Sequence, residues 1–329
     1  MSVIRTSILG TGAYAPEKVL TNADLERMVS TSDAWITERT GIKERRIAAP
    51  GEVTSDMAVK ASIRALEMAR TRPEELDLII VGTISPDMPM PSSAVIVQAK
   101  LGAKKAFAFD LSAACAGSIY AMSIADQYIQ TGKAKRALVV GAELLSRVVD
   151  WTDRNTCVLF GDGSGAMVLG PSDDPQRGIL GTYLHSDGDA ASILTIQGGG
   201  SQHPPSPEML EKKLDKVQMS GREIYKYAVR ALPEAVLEAL GKHGLTPAQV
   251  THLIAHQANL RIIESVCHRL GVPLDKCWTN IQRYGNTSSA SLPITLDEAN
   301  RAGRLRPGDI IAMMAIGAGM AWGSAVVRW

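Results

Sequence analysis

The sequence predicts an α/β protein made of two duplicated halves, each a sheet covered by helices, and three observations carry that expectation. The strand segments "LDLIIVGT", "RALVVGAE" and "DIIAMMAIG" are continuous apolar runs, as in strands covered on both faces. Between them lie helical patterns, such as the spacing of Ile119, Met122, Ala125, Tyr128 and Ile129. The order of these elements then recurs. "RPEELDLIIVGT" returns as "TPAQVTHLIAHQ", with Pro247 matching Pro73 at an offset of 174 (247 − 73). Leu101-Gly102 matches Leu270-Gly271 at 169 (270 − 101), and Gly132 matches Gly303 at 171 (303 − 132).

Taken in order, each half reads as helix, apolar strand, helix, strand, long helix, strand. Pro73 ends a helix before "LDLIIVGT". "KLGAKKAFAFDLSAAC" is then echoed by "RLGVPLDKCWTNIQRYGN", a strand leading into a turn, and "TGKAKRALVVGAE" by "AGRLRPGDIIAMMAIGA". The first half closes in "FGDGSGAMVLG", and the polar "PSDDPQRG" after it is the junction, so the expected halves are 1–171 and 172–329. "GGGSQHPPSPEMLEKKLDK", rich in Gly, Pro and charge, predicts a long surface loop that covers a site. The helical pattern resumes at Gly221, with Pro233 expected to kink it.

Composition narrows the function classes. Hydrophobic residues make up 45% of the 329 and charged ones 21%, as in a soluble globular protein with a core large enough to support catalysis. Lys and Arg total 35 against 34 Asp and Glu, and this net charge of +1 gives no broad electrostatic reason to bind nucleic acid. "MSVIRTSILGTGAYAP" has too short an apolar run for a secretory leader, and no segment approaches the roughly 18 apolar residues of a membrane span. A cytoplasmic protein with no nucleic-acid or membrane partner is the expectation. The four cysteines, Cys115, Cys157, Cys267 and Cys277, show no CxxC spacing, so free thiols are expected, with no zinc site or redox pair.

Cys115 sits in "FDLSAACAGSIYAMSIADQYIQ", where a strand gives way to a helix. A cysteine at a helix N-terminus faces free N–H groups and the positive end of the dipole, which favour thiolate, and Ser112 or a neighbour could cap that helix. A small buried hydrophobe is the plainer alternative. Asn286 follows Cys115 at an offset of 171 (286 − 115), that of the glycine pair, so the duplication predicts that both occupy the same turn. His256 ends the second-half strand equivalent to "LIIVG", so Cys, His and Asn are expected to meet where equivalent strand ends converge. His252 and His256 have the i, i+4 spacing of a metal motif, but on a strand they stand roughly 13 Å apart, which excludes one shared ion. Asn286 cannot titrate, so its expected role is hydrogen bonding; the plainer alternative is a turn before a capped helix.

"LSAACAG", "HQANLRII", "RYGNTSSAS", "GAGMAWGSAVVRW" and "TSDAWITERTGI" together resemble the β-ketoacyl-acyl-carrier-protein synthase III family, the initiating condensing enzymes of bacterial fatty-acid synthesis. The resemblance runs along essentially the whole chain, in order. It implies a thiolase-like fold, two duplicated halves in a five-layer αβαβα arrangement, and a homodimer. It also implies that Cys115 carries the acyl group of a short acyl-CoA as a thioester, and that His256 and Asn286 hydrogen-bond the thioester oxygen of malonyl-acyl carrier protein during decarboxylation. Backbone N–H groups of Cys115, Gly317, Ala318 and Gly319 would form the oxyanion hole. No cofactor or metal is implied, acyl-CoA and malonyl-acyl carrier protein being substrates.

The same resemblance makes Trp35, Arg39, Thr40, Arg154, Gly221, Tyr225 and Asn259 the expected contacts of the coenzyme A nucleotide and pantetheine, with Trp35 stacking on adenine and the arginines reaching phosphate. Arg261 and Arg269 become docking points for an acidic carrier protein. Two departures stand out. The family's commoner triple glycine is here Gly317-Ala318-Gly319, and the bulky aromatic often lent by the partner subunit to the end of the acyl pocket is here Met90, a flexible thioether suited to longer or branched primers.

Three rivals stay open on sequence. A nucleotide-binding dehydrogenase is suggested by "GTGAYA", although Pro16 interrupts its helix and no strand bears the acidic residue about 20 positions on. A non-enzymatic scaffold of the same fold is the second. The third is a synthase of polyketide or quinolone type, or an acyltransferase that skips decarboxylation.

Overall fold

Strands that are apolar on both faces need helices on both faces, and the chain supplies them in five layers. The computed structural model describes residues 4–329; residues 1–3, the head of the segment read for a leader, lie outside the described residues. The first sheet holds β1 (Thr6–Tyr14), β2 (Leu78–Gly82), β3 (Phe107–Leu111), β4 (Ala137–Glu143) and β5 (Gly163–Pro171), in the order β1-β5-β4-β2-β3. The second holds β6 (Gly178–Ser186), β7 (His252–Ala255), β8 (Cys277–Trp278), β9 (Ile310–Gly317) and β10 (Ala321–Arg328), in the order β6-β10-β9-β7-β8. The two orders coincide strand for strand. In each sheet, taken in that order, the first two pairings are antiparallel and the last two parallel.

Register gives the duplication its measure. Leu78 pairs with Ala137 and His252 with Ile311, so both strands of the pair recur at an offset of 174 (252 − 78 and 311 − 137). Helices α4 (Gly117–Gln130) and α7 (Ser291–Arg301) start at an offset of 174 (291 − 117) but end at one of 171 (301 − 130). The second helix is three residues shorter. The spacing of Gly132 and Gly303 therefore applies after these helices, while 174 applies at their starts. At that start Ala114 and Ser288 are equivalent, both with left-handed backbone, at φ 44° and 49°. Cys115 thus corresponds to Ser289, and Asn286 to Ser112, so the two occupy the same turn of the two halves as expected, but three residues apart within it.

Both α4 and α7 lie between the sheets, packed on strands of each. Ile119, Met122 and Ile129 of α4 and Leu292 and Leu296 of α7 bury there against Leu78, Ile80 and Met313. The alternate positions Ile79 and Val81 face the other way, onto α2 (Thr54–Ala69) and α3 (Ser93–Leu101). On the second sheet α5 (Gly221–Gly241) and α6 (Leu260–Leu270) take the outer face. Each fully buried large aliphatic side chain contributes about 1.5–3 kcal/mol, so period-two burial on both faces accounts for the continuous apolar runs. Helix α5 runs unbroken through the buried Pro233.

The glycines of "GTGAYA" lie in β1 and open no phosphate-binding turn. A Cβ on Gly10 would strike the Ala65 carbonyl and one on Gly12 the Ala61 carbonyl, so their bare backbones let α2 press onto β1. That close approach replaces the dinucleotide reading with a packing one.

A cap completes the molecule. The hairpin Lys18–Thr21 with Glu44–Ile47 carries helix α1 (Asp33–Thr40). The predicted loop after Gly198 includes a helical turn at Pro207–Glu211, and its base is a two-stranded ribbon, Leu194–Thr195 with Gln218–Met219. No helix among the described residues is long and apolar enough to cross a membrane.

Candidate active site

Strand β3 ends at Leu111, and the chain turns through Ala114–Ala116, a single 3-10 turn, before entering α4. Cys115 sits in that turn, 7% exposed. Neither the turn nor α4 has a side-chain cap, so Ser112 does not act as one. Burial pushes the Cys115 thiol up to about 12, with the nearby Glu143 carboxyl adding to the rise and Ser288 opposing it. The thiol is therefore neutral at rest, against the expected thiolate preference, because its burial disfavours the anion.

His256 follows β7, its backbone N–H donating to the Met314 carbonyl at 2.8 Å. The ring is buried, and neither Nδ1 nor Nε2 has a hydrogen-bond partner among the described residues. Burial lowers its pKa to about 3, so the imidazole is neutral. His252 instead faces Asp309 Oδ2 at 3.2 Å, so the two histidines serve different neighbours. No cluster of metal-ligating side chains occurs among the described residues.

Asn286 is held on both sides of its peptide. Its N–H donates to the Leu159 carbonyl at 2.8 Å and its carbonyl accepts from the Gly161 N–H at 3.0 Å. The side-chain Oδ1 accepts from the Ser288 N–H at 2.8 Å, which turns Nδ2 the other way.

These three side chains line one cavity of about 880 Å³. Gly317, the last residue of β9, lines it too; a Cβ there would collide with the Cys115 backbone nitrogen, so only glycine permits this approach. Gly319 has φ 126° while Ala318 has no unusual φ, so the alanine occupies the one middle position that tolerates it. Along the same cavity stand Trp35, Arg39, Thr40, Gly221, Tyr225, Asn259 and Arg261.

Several of these groups are already engaged. The guanidiniums of Arg39 and Arg154 lie over the Trp35 ring, 4.7 and 4.9 Å from its centroid. Arg154 also donates to the Ser30 carbonyl at 3.0 Å. The Thr40 hydroxyl donates to the Ile36 carbonyl and accepts from the Ile42 N–H. Asn259 caps α6 through Arg261 N–H and donates to the Arg39 carbonyl, tying the second half to the cap. Arg261 and Arg269 are exposed on α6, and Arg269 donates to the Val229 carbonyl.

A second cavity, about 820 Å³, also reaches Cys115 and is lined by Met90, Leu111, Leu145, Ile196 and Val217. Met90 is 84% exposed. Sequence reasoning missed Glu143 and Gln257, and read Arg45 only as part of the basic stretch "WITERTGIKERR", where a solvated face is the plainer expectation. Gln257 bonds four backbone groups around β7 and β8. Arg45, with no exposed surface, donates to the Leu20 and Val158 carbonyls and to Asn22, joining the hairpin to the strip that holds Asn286. For Glu143 the available signal was a charge set in apolar sequence, "RALVVGAE"; Gln257 and Arg45 had no such mark.

Two like sheets around a shared pair of helices, with a cysteine at the start of one of those helices, define a thiolase-fold enzyme of the condensing type. Models of 3-oxoacyl-[acyl-carrier-protein] synthase III match residues 109–188, and of its C-terminal region residues 240–329. The β-ketoacyl-[acyl-carrier-protein] synthase III of Caldanaerobacter subterraneus subsp. tengcongensis is 54% identical, covering 99% of this chain and 98% of its own. The crystal structure of 3-oxoacyl-[acyl-carrier-protein] synthase III from Aquifex aeolicus superposes with a TM-score of 0.91 at 49% identity, covering 98% of this chain and 100% of that one. A priming β-ketosynthase from the R1128 polyketide biosynthetic pathway superposes at 0.92 with 36% identity, covering 99% and 97%. The chain belongs to the β-ketoacyl-acyl-carrier-protein synthase III family, acyltransferases that condense.

Proposed function

We propose that this chain joins an acyl-CoA primer to malonyl-acyl carrier protein by decarboxylative Claisen condensation, with Cys115, His256 and Asn286 as its catalytic residues. The observation that carries the reading is the meeting of a buried thiol, two unpartnered imidazole nitrogens and an oriented amide in one cavity. In the first half-reaction the Cys115 sulfur attacks the acyl-CoA carbonyl. An acyl-sulfur bond forms, the bond to coenzyme A breaks, and the thiol proton leaves on coenzyme A. A neutral resting thiol therefore costs no net proton. The Cys115 and Gly319 N–H groups, with the Gly317-Ala318 backbone, are the donors assigned to the tetrahedral oxyanion.

In the second half-reaction malonyl thioester loses CO2, and its electron pair becomes an enolate. Neutral His256 and Asn286 Nδ2 donate to that oxygen as charge develops on it. The enolate carbon attacks acyl-Cys115, and the released thiolate takes one proton from solvent. Residues 1–171 thus supply the nucleophile, and 172–329 the two donors.

For substrate entry, Trp35, Arg39, Arg154, Gly221 and Tyr225 are assigned to coenzyme A and pantetheine, with Thr40 and Asn259 supporting the wall through their bonds to protein. Adenine stacked on Trp35 would share the ring with Arg39 and Arg154. Arg261 and Arg269 are assigned to acidic carrier-protein docking. A homodimer is supported by β3, an edge strand whose Phe107 is 43% exposed and stacks near Phe109 and Tyr128. Met90 then meets the partner's acyl pocket. The fit to the R1128 enzyme favours, as a second reading, priming of a secondary-metabolite pathway.

The test is to incubate the protein with acetyl-, isobutyryl- and octanoyl-CoA, then with malonyl-acyl carrier protein, following intact mass and CO2. Acylation lost in Cys115→Ser, followed by malonyl-dependent CO2 release and a β-ketoacyl product, is expected. Acylation without condensation would mean a transferase instead.

A further inference from the structure

We propose that Glu143 is a positioning residue for the condensation half-reaction, a buried carboxyl group that holds the Ser288 turn and, through it, the Asn286 amide. The inference rests on the reading that Asn286 stabilises the malonyl enolate.

A duplicated fold has two equivalent cradles, each made by one half's turn and the other half's strand end. In the first, Cys115 faces Gly317 and His256. With the offset of 174 set by the strand register, the second has Ser289 in place of Cys115, Gly82 in place of His256 and Glu143 in place of Gly317. Ser289 Oγ donates to the Gly82 carbonyl at 2.7 Å. Where the first cradle is left open by a glycine, the second is filled by a carboxyl group.

Glu143 has no exposed surface, and no cation pairs with it among the described residues. Polar groups of both halves surround it instead. Ser288 Oγ donates to Oε1 at 3.0 Å, and Ser289 Oγ, its one proton nearer the Gly82 carbonyl, lies at the same distance. Thr83 Oγ1 at 3.3 Å, the Ile84 N–H at 3.1 Å and Ser85 Oγ at 2.7 Å donate to Oε2. A buried acid is costly unless well bonded, and an apolar residue of similar size is often no less stable. Stability alone therefore does not account for it.

Its effect on the site does. Ser288 stands at φ 49°, a left-handed backbone uncommon for serine. The same residue donates its hydroxyl to Glu143 and its N–H to Asn286 Oδ1 at 2.8 Å. Glu143 thus anchors the turn that fixes which end of the amide faces substrate.

The experiment compares wild type, Glu143→Gln, Ser288→Ala, Asn286→Ala and the double variant Glu143→Gln/Asn286→Ala as intact proteins. Acylation of Cys115 by acetyl-CoA and malonyl-dependent CO2 release are timed separately, on protein corrected for folded fraction. In Glu143→Gln, acylation should stay within about twofold of wild type, while kcat for CO2 release falls about tenfold or more at an unchanged KM. The double variant should be no slower than Asn286→Ala, because both changes act through one group. Ser288→Ala also removes the hydroxyl that opposes the rise at the Cys115 thiol, so it should slow acylation, but by a smaller factor than CO2 release, even if Glu143→Gln folds poorly. Equal loss in both half-reactions, multiplying losses in the double variant, or wild-type CO2 release by Glu143→Gln would overturn the inference. If Asn286→Ala itself released CO2 normally, the catalytic reading beneath it would fail first.

Discussion

Cys115 and His256 are both uncharged at rest, and each for the same reason: neither has a partner strong enough to offset desolvation. A thiol raised to about 12 leaves little thiolate at neutral pH. Alkylation of Cys115 by iodoacetamide, read by peptide mass, should therefore climb with pH past 9 without a plateau; a plateau below pH 8 would show a stabilised thiolate. For His256 the folded value, about 3, lies below the ordinary 6.5. The unfolded chain then binds the extra proton between those values, so this residue's contribution falls as pH drops from about 6.5 toward 3, by up to about 1.4 kcal/mol per pH unit. His256→Gln should flatten the acid limb of stability measured by urea unfolding. An unchanged limb would place the imidazole in water.

At the level of elements, close approaches decide more than propensities. Helix α2 sits on β1 because Gly10 and Gly12 have no side chains to hold it off. Gly12→Ala should cost about 1–3 kcal/mol by overpacking, seen as a lower urea midpoint with activity per folded molecule retained. Gly317→Ala meets the Cys115 backbone instead and should in addition lower acylation per folded molecule. If the two variants behaved alike, β9 would have no special place at the nucleophile. The three-residue difference between α4 and α7 likewise matters, since it sets which residues of the two halves are true counterparts.

Across the whole molecule, the two halves have diverged in what they place at equivalent points. The first turn presents a thiol to an open cavity; the second presents Ser289 to Glu143. The sheets also end differently, in the five-residue β3 on one side and the two-residue β8 on the other. Phe107→Glu should weaken a dimer formed through β3, measured by sedimentation across a protein dilution series; an unchanged association constant would place the interface elsewhere. Because Met90 belongs to the same reading, Met90→Phe should shift acyl-CoA preference toward shorter chains in a substrate panel. The same preference in both proteins would remove Met90 from the pocket.

Much of this architecture was legible in the sequence because its signals are local or periodic. Apolar runs report burial on both faces, helical spacing reports the inner helices, and a recurring order reports duplication. Strand ends marked His256, and the turn after β3 marked Cys115. What stayed hidden depends on approach between residues far apart in the chain. The counterpart of Cys115 followed only from strand register, since equal spacing after a shortened helix is not equal position before it. The "GTGAYA" glycines look alike in a phosphate turn and against a helix; only the Ala61 and Ala65 carbonyls tell them apart. The charge state of Cys115 also required the fold, because a dipole is implied by local sequence but desolvation is the sum of everything packed around it.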